Sequence, residues 1–174
     1  MQTKIIAEAS VVIALTVILK DVVPPIYRFP QGGSVSMASM VPLLWFSLRW
    51  GLRWGLEVSC VYGLVHMALP SSYIVDPVQA LLDYPMAFAM LGLAGAFKQH
   101  PLVGVCVGVA GRFTCHFVSG IWFFSEYAGS QHPLVYSALY NGSYLVPELI
   151  ISLVAMSILL KRKLVNVNMS KKVE

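Results

Sequence analysis

Charge is what this sequence has least of. Only 11% of its 174 residues are Asp, Glu, Lys or Arg, against roughly 25% in an ordinary soluble domain. Hydrophobic residues make up 57%, and the mean hydropathy is +0.73. A soluble chain of this length buries about 68–70% of its unfolded surface and covers the rest with polar side chains, which this composition cannot supply. A soluble enzyme, a nucleic-acid binder and a disordered chain are thereby excluded. Acids are scarcer than bases, 8 against 12, for a net charge of +4. Five of the bases, Lys161, Arg162, Lys163, Lys171 and Lys172, follow the last apolar run. That placement predicts a basic tail beside anionic lipid rather than a nucleic-acid surface. Cysteine is sparse too. Cys60, Cys106 and Cys115 lie in apolar runs without CxxC or CxxH spacing, as small core hydrophobes do. No G-x-x-x-x-G-K-[ST], G-x-S-x-G or H-E-x-x-H occurs, so neither a P-loop ATPase nor those hydrolase classes are indicated. Glu8 near the start of the first apolar run, with no small-residue cleavage site after it, argues against a cleavable leader.

What is there in abundance is long apolar runs. A helix crossing the hydrocarbon core needs about 20 residues. The sequence predicts spans at Ile5–Lys20, Met37–Trp50, Leu56–Leu69, Pro77–Phe97, Leu102–Phe124 and Leu134–Leu160. The second is short, and Gly51 and Gly55 break the chain after it. Pro77 suits a first helical turn, and Pro147 predicts a kink in the last helix. Between the first two runs, Asp21–Val35 carries Pro24, Pro25, Pro30, Gly32 and Gly33, which predicts a long loop at the membrane face. The expected fold is an all-α integral membrane protein: one domain over 1–174, a bundle of six transmembrane helices, and a basic tail from about 161 to 174.

Positive charge orients such a bundle. With the N-terminus cytoplasmic, that side holds Lys4, Arg49, Arg53, Lys98 and the five tail bases, while Lys20 and Arg28 alone lie opposite. This strong inside bias predicts both termini cytoplasmic and the loops 21–36, 70–76 and 125–133 outward.

Charge inside a span is costly and functional by default, and four such residues stand out: Glu57, Asp83, Arg112 and Glu148. Glu57 is spaced i,i+4 from Arg53, which predicts an ion pair. Glu148 is expected to pair with Arg112. Asp83, His116 and Asn141 come from three different helices yet fall at matching depth, in the outward halves of the last three. Tyr73, Tyr84, Trp122, Phe124, Tyr136, Tyr140 and Tyr144 fall there as well. An interfacial aromatic belt accounts for Trp122, Phe124 and Tyr136. It does not account for Asp83, His116 or Asn141, which point instead to a polar pocket. The four histidines, His66, His100, His116 and His132, lack metal-ligand spacing and are expected at different depths, so no metal site is indicated. An acid ringed by aromatic residues suits a planar, cationic, amine-bearing ligand. Asn141, able to donate and accept, suits a heterocycle edge.

Five blocks, in order, carry a resemblance: Phe29-Pro-Gln-Gly-Gly-Ser-Val-Ser-Met37, Ser47-Leu-Arg-Trp-Gly51, Leu82-Asp-Tyr84, His116-Phe-Val-Ser-Gly120 and Tyr136-Ser-Ala-Leu-Tyr-Asn141. Together they resemble the thiamine-specific substrate-binding (S) component of energy-coupling factor (ECF) transporters, over nearly the whole chain. The resemblance implies a six-helix membrane bundle that captures vitamin B1 on the outer face, without catalysis and without a cofactor. It implies as partners a transmembrane coupling (T) component and two ATPase subunits. By position, Asp83 matches the acid that meets the aminopyrimidine, and Tyr84 and Tyr73 match pocket tyrosines. His116 matches the histidine beside the thiazolium, and Tyr136 and Asn141 match the polar pair of the last helix. Phe124 stands where some members have Trp, so stacking is expected to be shared with Trp122. Met37 and Gly33 stand where some members bring an acid and a Trp, so no ligand contact is expected from that region. The family docks through small residues on its first helix, which places Ser10 and Ala14 at the partner interface.

Three alternatives stay open at this stage: a binding subunit for another small cationic vitamin or heterocycle, a stand-alone secondary transporter, and a membrane enzyme. A secondary transporter would usually show internal repeats, and none is evident here.

Overall fold

The computed structural model describes residues 2–165. Of the expected basic tail, Lys171 and Lys172 lie outside the described residues. The chain is mainly helical: α1 (Gln2–Val17), α2 (Val41–Trp50), α3 (Leu52–Met67), α4 (Pro77–Ala96), α5 (Pro101–Phe123) and α6 (Pro133–Lys161). Of these, α4, α5 and α6 are long and apolar enough to cross a membrane. The second run starts its helix later than the sequence predicts, at Val41 rather than Met37. Its 10 residues reach only about 15 Å at 1.5 Å per residue. The third starts earlier, at Leu52 rather than Leu56, because Gly51 alone makes the break. Gly51 sits at φ +97°, open to glycine at little cost, so the chain turns there within one residue.

The outside of the bundle is apolar. Ile6, Val11, Val61, Leu139, Ile150, Val154 and Ile158 are all exposed. An apolar exterior on this scale marks a surface in lipid rather than water. The core is equally apolar, with Leu43, Leu44, Phe46, Leu48, Tyr62, Leu91 and Met156 fully buried. Small residues let the helices close on one another. A Cβ added at Gly55 would sit 2.7 Å from Ser47 Oγ and 3.0 Å from the Gly92 carbonyl oxygen, so this contact excludes any larger residue.

Departures from regular helix have local causes. Pro85 has no N–H to give, and the turn at Leu82–Met86 widens to π geometry around it. α4 begins on a cap: Asp76 accepts from the Val78 N–H at 2.7 Å, with Pro77 in the first turn. α1 ends in a wide turn at Ile18–Val22. The long loop after it is partly ordered by a hairpin, β1 (Tyr27–Arg28) against β2 (Ser34–Val35), antiparallel with Tyr27 opposite Val35.

The two ends of the bundle differ. At one end Glu8 holds Arg49 through two bonds of 2.7 and 3.0 Å and accepts from Trp50 at 2.8 Å. Trp45 donates to the Leu164 carbonyl there, so both ends of the described chain lie together. Arg53 meets Glu57 at 3.0 Å, as their spacing predicts, in an exposed pair. The hairpin and the segments following α3 and α5 gather at the other end.

Candidate functional site

That second end holds an open cavity of about 730 Å³, the solvent space at its mouth included. Helices supply its walls and the hairpin covers part of its mouth through Gln31, Gly32, Gly33 and Ser34.

Asp83 is its one lining carboxylate among the described residues. On α4, it accepts from Gln79 Nε2 at 2.6 Å, from Ser119 Oγ at 2.8 Å and from His116 Nδ1 at 2.8 Å. His116, one turn from Arg112 on α5, lies between two partners. Arg112 Nε is 3.3 Å from His116 Nε2, and a guanidinium can only donate. Nε2 is therefore the bare nitrogen and Nδ1 carries the proton given to Asp83. These partners make the ring neutral, so it places no charge against a cationic ligand. The Arg112 guanidinium lies 4.0 Å from the Phe88 ring centroid, held by a cation–π contact.

The other predicted residues are placed as follows. Tyr84 accepts from the Tyr73 N–H at 2.5 Å and donates to its carbonyl at 3.1 Å, tying the segment after α3 to α4. Tyr73 in turn faces Phe124, ring centroids 6.2 Å apart. Tyr136 stacks on Tyr140 at 5.9 Å. All of these line the cavity, as does Asn141. The Asn141 amide, however, is already committed. Its Nδ2 donates to the Ser137 carbonyl at 2.9 Å and lies 3.2 Å from the His116 carbonyl, while its Oδ1 accepts from Tyr144 at 2.8 Å. It joins α5 to α6 and orients Tyr144 rather than offering a free heterocycle edge.

Trp122 is a correction. It is 76% exposed and does not line the cavity. Six residues past His116, it lies about 120° around the helix from that ring, at about 100° per residue. The expected Arg112–Glu148 pair is also absent among the described residues. Glu148 instead accepts from the Ser36 N–H and Oγ, each at 2.6 Å. His66 and His116 were expected at different depths but line the same cavity. Each has its own acid, Asp21 at 3.4 Å and Asp83 at 2.8 Å. Met37 is exposed, whereas Gly33 does reach the cavity, by its backbone.

Sequence reasoning missed Gln79, Ser119, Lys20 and His66. Gln79, 1% exposed, spans from Asp83 to the Tyr73 carbonyl and the Val75 N–H. Its i−4 spacing from Asp83 was available as a signal. Ser119 lies one turn from His116 and was equally accessible. Lys20, which donates to Ser34 Oγ at 2.7 Å, and His66 reach the cavity only through tertiary packing. Lys20 and Arg112 line the cavity together with Asp83, whereas Asp21, 3.4 Å from His66, does not.

A helical membrane bundle with an open, aromatic-lined cavity at one end is a small-molecule binding protein of the membrane. Comparison with known proteins narrows the class. The family described as "Thiamine transporter protein (Thia_YuaJ)" matches residues 6–168, and the chain belongs to it. The chain is 35% identical over 169 residues to "Thiamine transporter ThiT" of Bacillus subtilis, covering 87% of this chain and 88% of that protein. It is 24% identical over 138 residues to the protein of the same name in Lacticaseibacillus paracasei, covering 70% and 64%. A solved structure of ThiT from Listeria monocytogenes shares the fold, with a TM-score of 0.83 at 23% identity, over 92% of this chain and 95% of that one.

Proposed function

We propose that this chain captures thiamine at the outer face of the cell membrane and delivers it for uptake by an ECF-type transporter, as its S component. Its bundle would cross the membrane six times with both termini cytoplasmic. A T component and two ATPase subunits would supply the energy, since no nucleotide motif occurs in the chain. The observation that carries this reading is a single carboxylate, Asp83, in a cavity that Tyr73, Tyr84, Phe124, Tyr136 and Tyr140 also line. An exocyclic amine meets the carboxylate, and ring faces attract the cationic thiazolium. The neutral His116 beside Asp83 is compatible with that positive charge. Native mass spectrometry of the purified protein tests the reading. A co-purified molecule of thiamine's mass supports it, and a different cationic heterocycle in its place overturns the substrate.

Topology has its own test. In a background with Cys60, Cys106 and Cys115 replaced by Ala, single cysteines at Ser130 and Lys163 should label from opposite sides of the membrane. Labelling of both by an impermeant maleimide applied outside would overturn the orientation.

The aromatic wall gives a graded expectation. Phe124→Ala should weaken thiamine binding about 2- to 13-fold, the equivalent of the ~0.5–1.5 kcal/mol of one aromatic pairing. Trp122→Ala should leave it unchanged, because that ring lies outside the cavity. Titration calorimetry distinguishes the two. A larger loss from Trp122→Ala would mean that the stacking ring has been misassigned.

A further inference from the structure

Glu148 is a buried carboxyl group to which the binding site assigns no part. It is 2% exposed, on α6 just after Pro147, and makes no ion pair among the described residues. One of its oxygens takes two bonds from Ser36, the N–H and the hydroxyl, both at 2.6 Å. Ser36 Oγ also lies 2.5 Å from Ser39 Oγ. One hydroxyl has one proton, so the order must run from Ser39 to Ser36 to Glu148. The second Glu148 oxygen is buried without a partner.

Ser36 immediately follows β2, so these bonds hold the root of the hairpin. The hairpin is fixed to α6 at two further levels. Tyr140 accepts from the Gly33 N–H at 3.1 Å and donates to the Pro30 carbonyl. Tyr144 packs with Val35, and its ring lies 6.2 Å from that of Phe29. Tyr140 and Tyr144 themselves face the cavity, so a ligand can disturb those two contacts. Glu148, one turn below Tyr144, does not line it. Its grip on Ser36 is the attachment that persists whatever occupies the site. Glu148 is 2% exposed, so water does not replace such a bond.

We propose that Glu148 is a positioning residue for ligand retention, which fixes the hairpin root against α6 so that Gln31–Gly33 stay over the cavity mouth. This rests on the thiamine-binding reading above. The role needs a hydrogen-bond acceptor, not a charge: a glutamine keeps one oxygen for Ser36 and alanine keeps none.

Filter binding of radiolabelled thiamine to the purified protein measures association, and a chase with unlabelled thiamine measures dissociation. Glu148→Ala should release thiamine about tenfold faster, a change of about 1.4 kcal/mol, with association little altered. Glu148→Gln should stay close to the parent rate. Ser36→Ala, which removes the hydroxyl but keeps the N–H, should fall between and is the milder variant should Glu148→Ala fold poorly. A less stable Glu148→Ala protein with the parent dissociation rate would reduce the residue to a structural role. A Glu148→Gln variant as fast as Glu148→Ala would show that charge is what matters, and would overturn the proposal too. The hairpin can also be followed without ligand, through maleimide labelling of Gln31→Cys in the cysteine-free background. Labelling should speed up with Glu148→Ala and not with Glu148→Gln. If the parent binds no thiamine, the functional reading fails, and these labelling rates alone still decide whether Glu148 holds the hairpin.

Discussion

Replacing Asp83 with asparagine is expected to weaken thiamine binding by about 10- to 150-fold, the equivalent of the ~1.5–3 kcal/mol of a hydrogen bond to a charged group. The structure adds a second reason to the loss of charge. Asp83 already accepts from Gln79, Ser119 and His116. An asparagine presents one acceptor oxygen and one donor nitrogen, and whichever way it turns, its nitrogen meets a donor. Gln79 cannot relieve the clash by flipping its own amide. That would turn its oxygen toward the Tyr73 carbonyl and its nitrogen toward the Val75 N–H, losing two bonds to the backbone. The control is Glu57→Gln, which breaks only the exposed pair with Arg53 at the opposite end of the bundle. Such pairs contribute about 0.2–1 kcal/mol to stability, and affinity should not move. Titration calorimetry on detergent-solubilised protein decides the matter. Parent-like affinity in Asp83→Asn with a loss in Glu57→Gln would put the site at the wrong end of the molecule.

Asp83 and His116 were legible because a charge or an imidazole in an apolar run has no inexpensive explanation, and helix counting gave their depth. Depth is a one-dimensional coordinate, however, and Trp122 shows its limit. The ring falls at the right level but on the wrong side of α5, and only its angle from His116 reveals this. The same angular rule would have found Ser119 and Gln79, each one turn from a residue already singled out. Lys20 and His66 are different. They depend on how the ends of α1 and α3 meet the segment after α3, which no local pattern records. Glu148 was misjudged by matching it to the nearest opposite charge. Its partner is the backbone and hydroxyl of Ser36, far away in sequence, and nothing in a run of small residues announces that a main-chain N–H will need an acceptor. The helices themselves were read nearly in place. The start of α3 shifted because a single residue, Gly51 with its positive φ, decides the break.

Substituting tryptophan at Ser10 or Ala14 is expected to abolish thiamine uptake in cells that supply the coupling module, while binding by the purified protein stays within about twofold of the parent, a difference well under the 1.4 kcal/mol of a tenfold change. Both residues are exposed on α1, as is Ala7 one turn before Ser10. The Ser10 hydroxyl is turned back onto the Ile6 carbonyl at 3.0 Å, so the face offers no polar obstacle. Small residues spaced this way let another membrane helix approach closely, and in lipid that close packing is a main source of helix association. An indole in the seam would hold the helices apart. Facing lipid instead, it would cost the isolated protein little, since neither position contributes to the core. Lys20 marks the cavity, ten residues and about 15 Å beyond Ser10 and six residues and about 9 Å beyond Ala14, which separates the two functions in space. Ile158→Trp, at an exposed position on α6, tests whether bulk alone is harmful. It should take up thiamine normally. If Ser10→Trp and Ala14→Trp transport as well as Ile158→Trp, this face of α1 is not where the partner docks; if all three fail, the defect is bulk in the membrane rather than a lost interface.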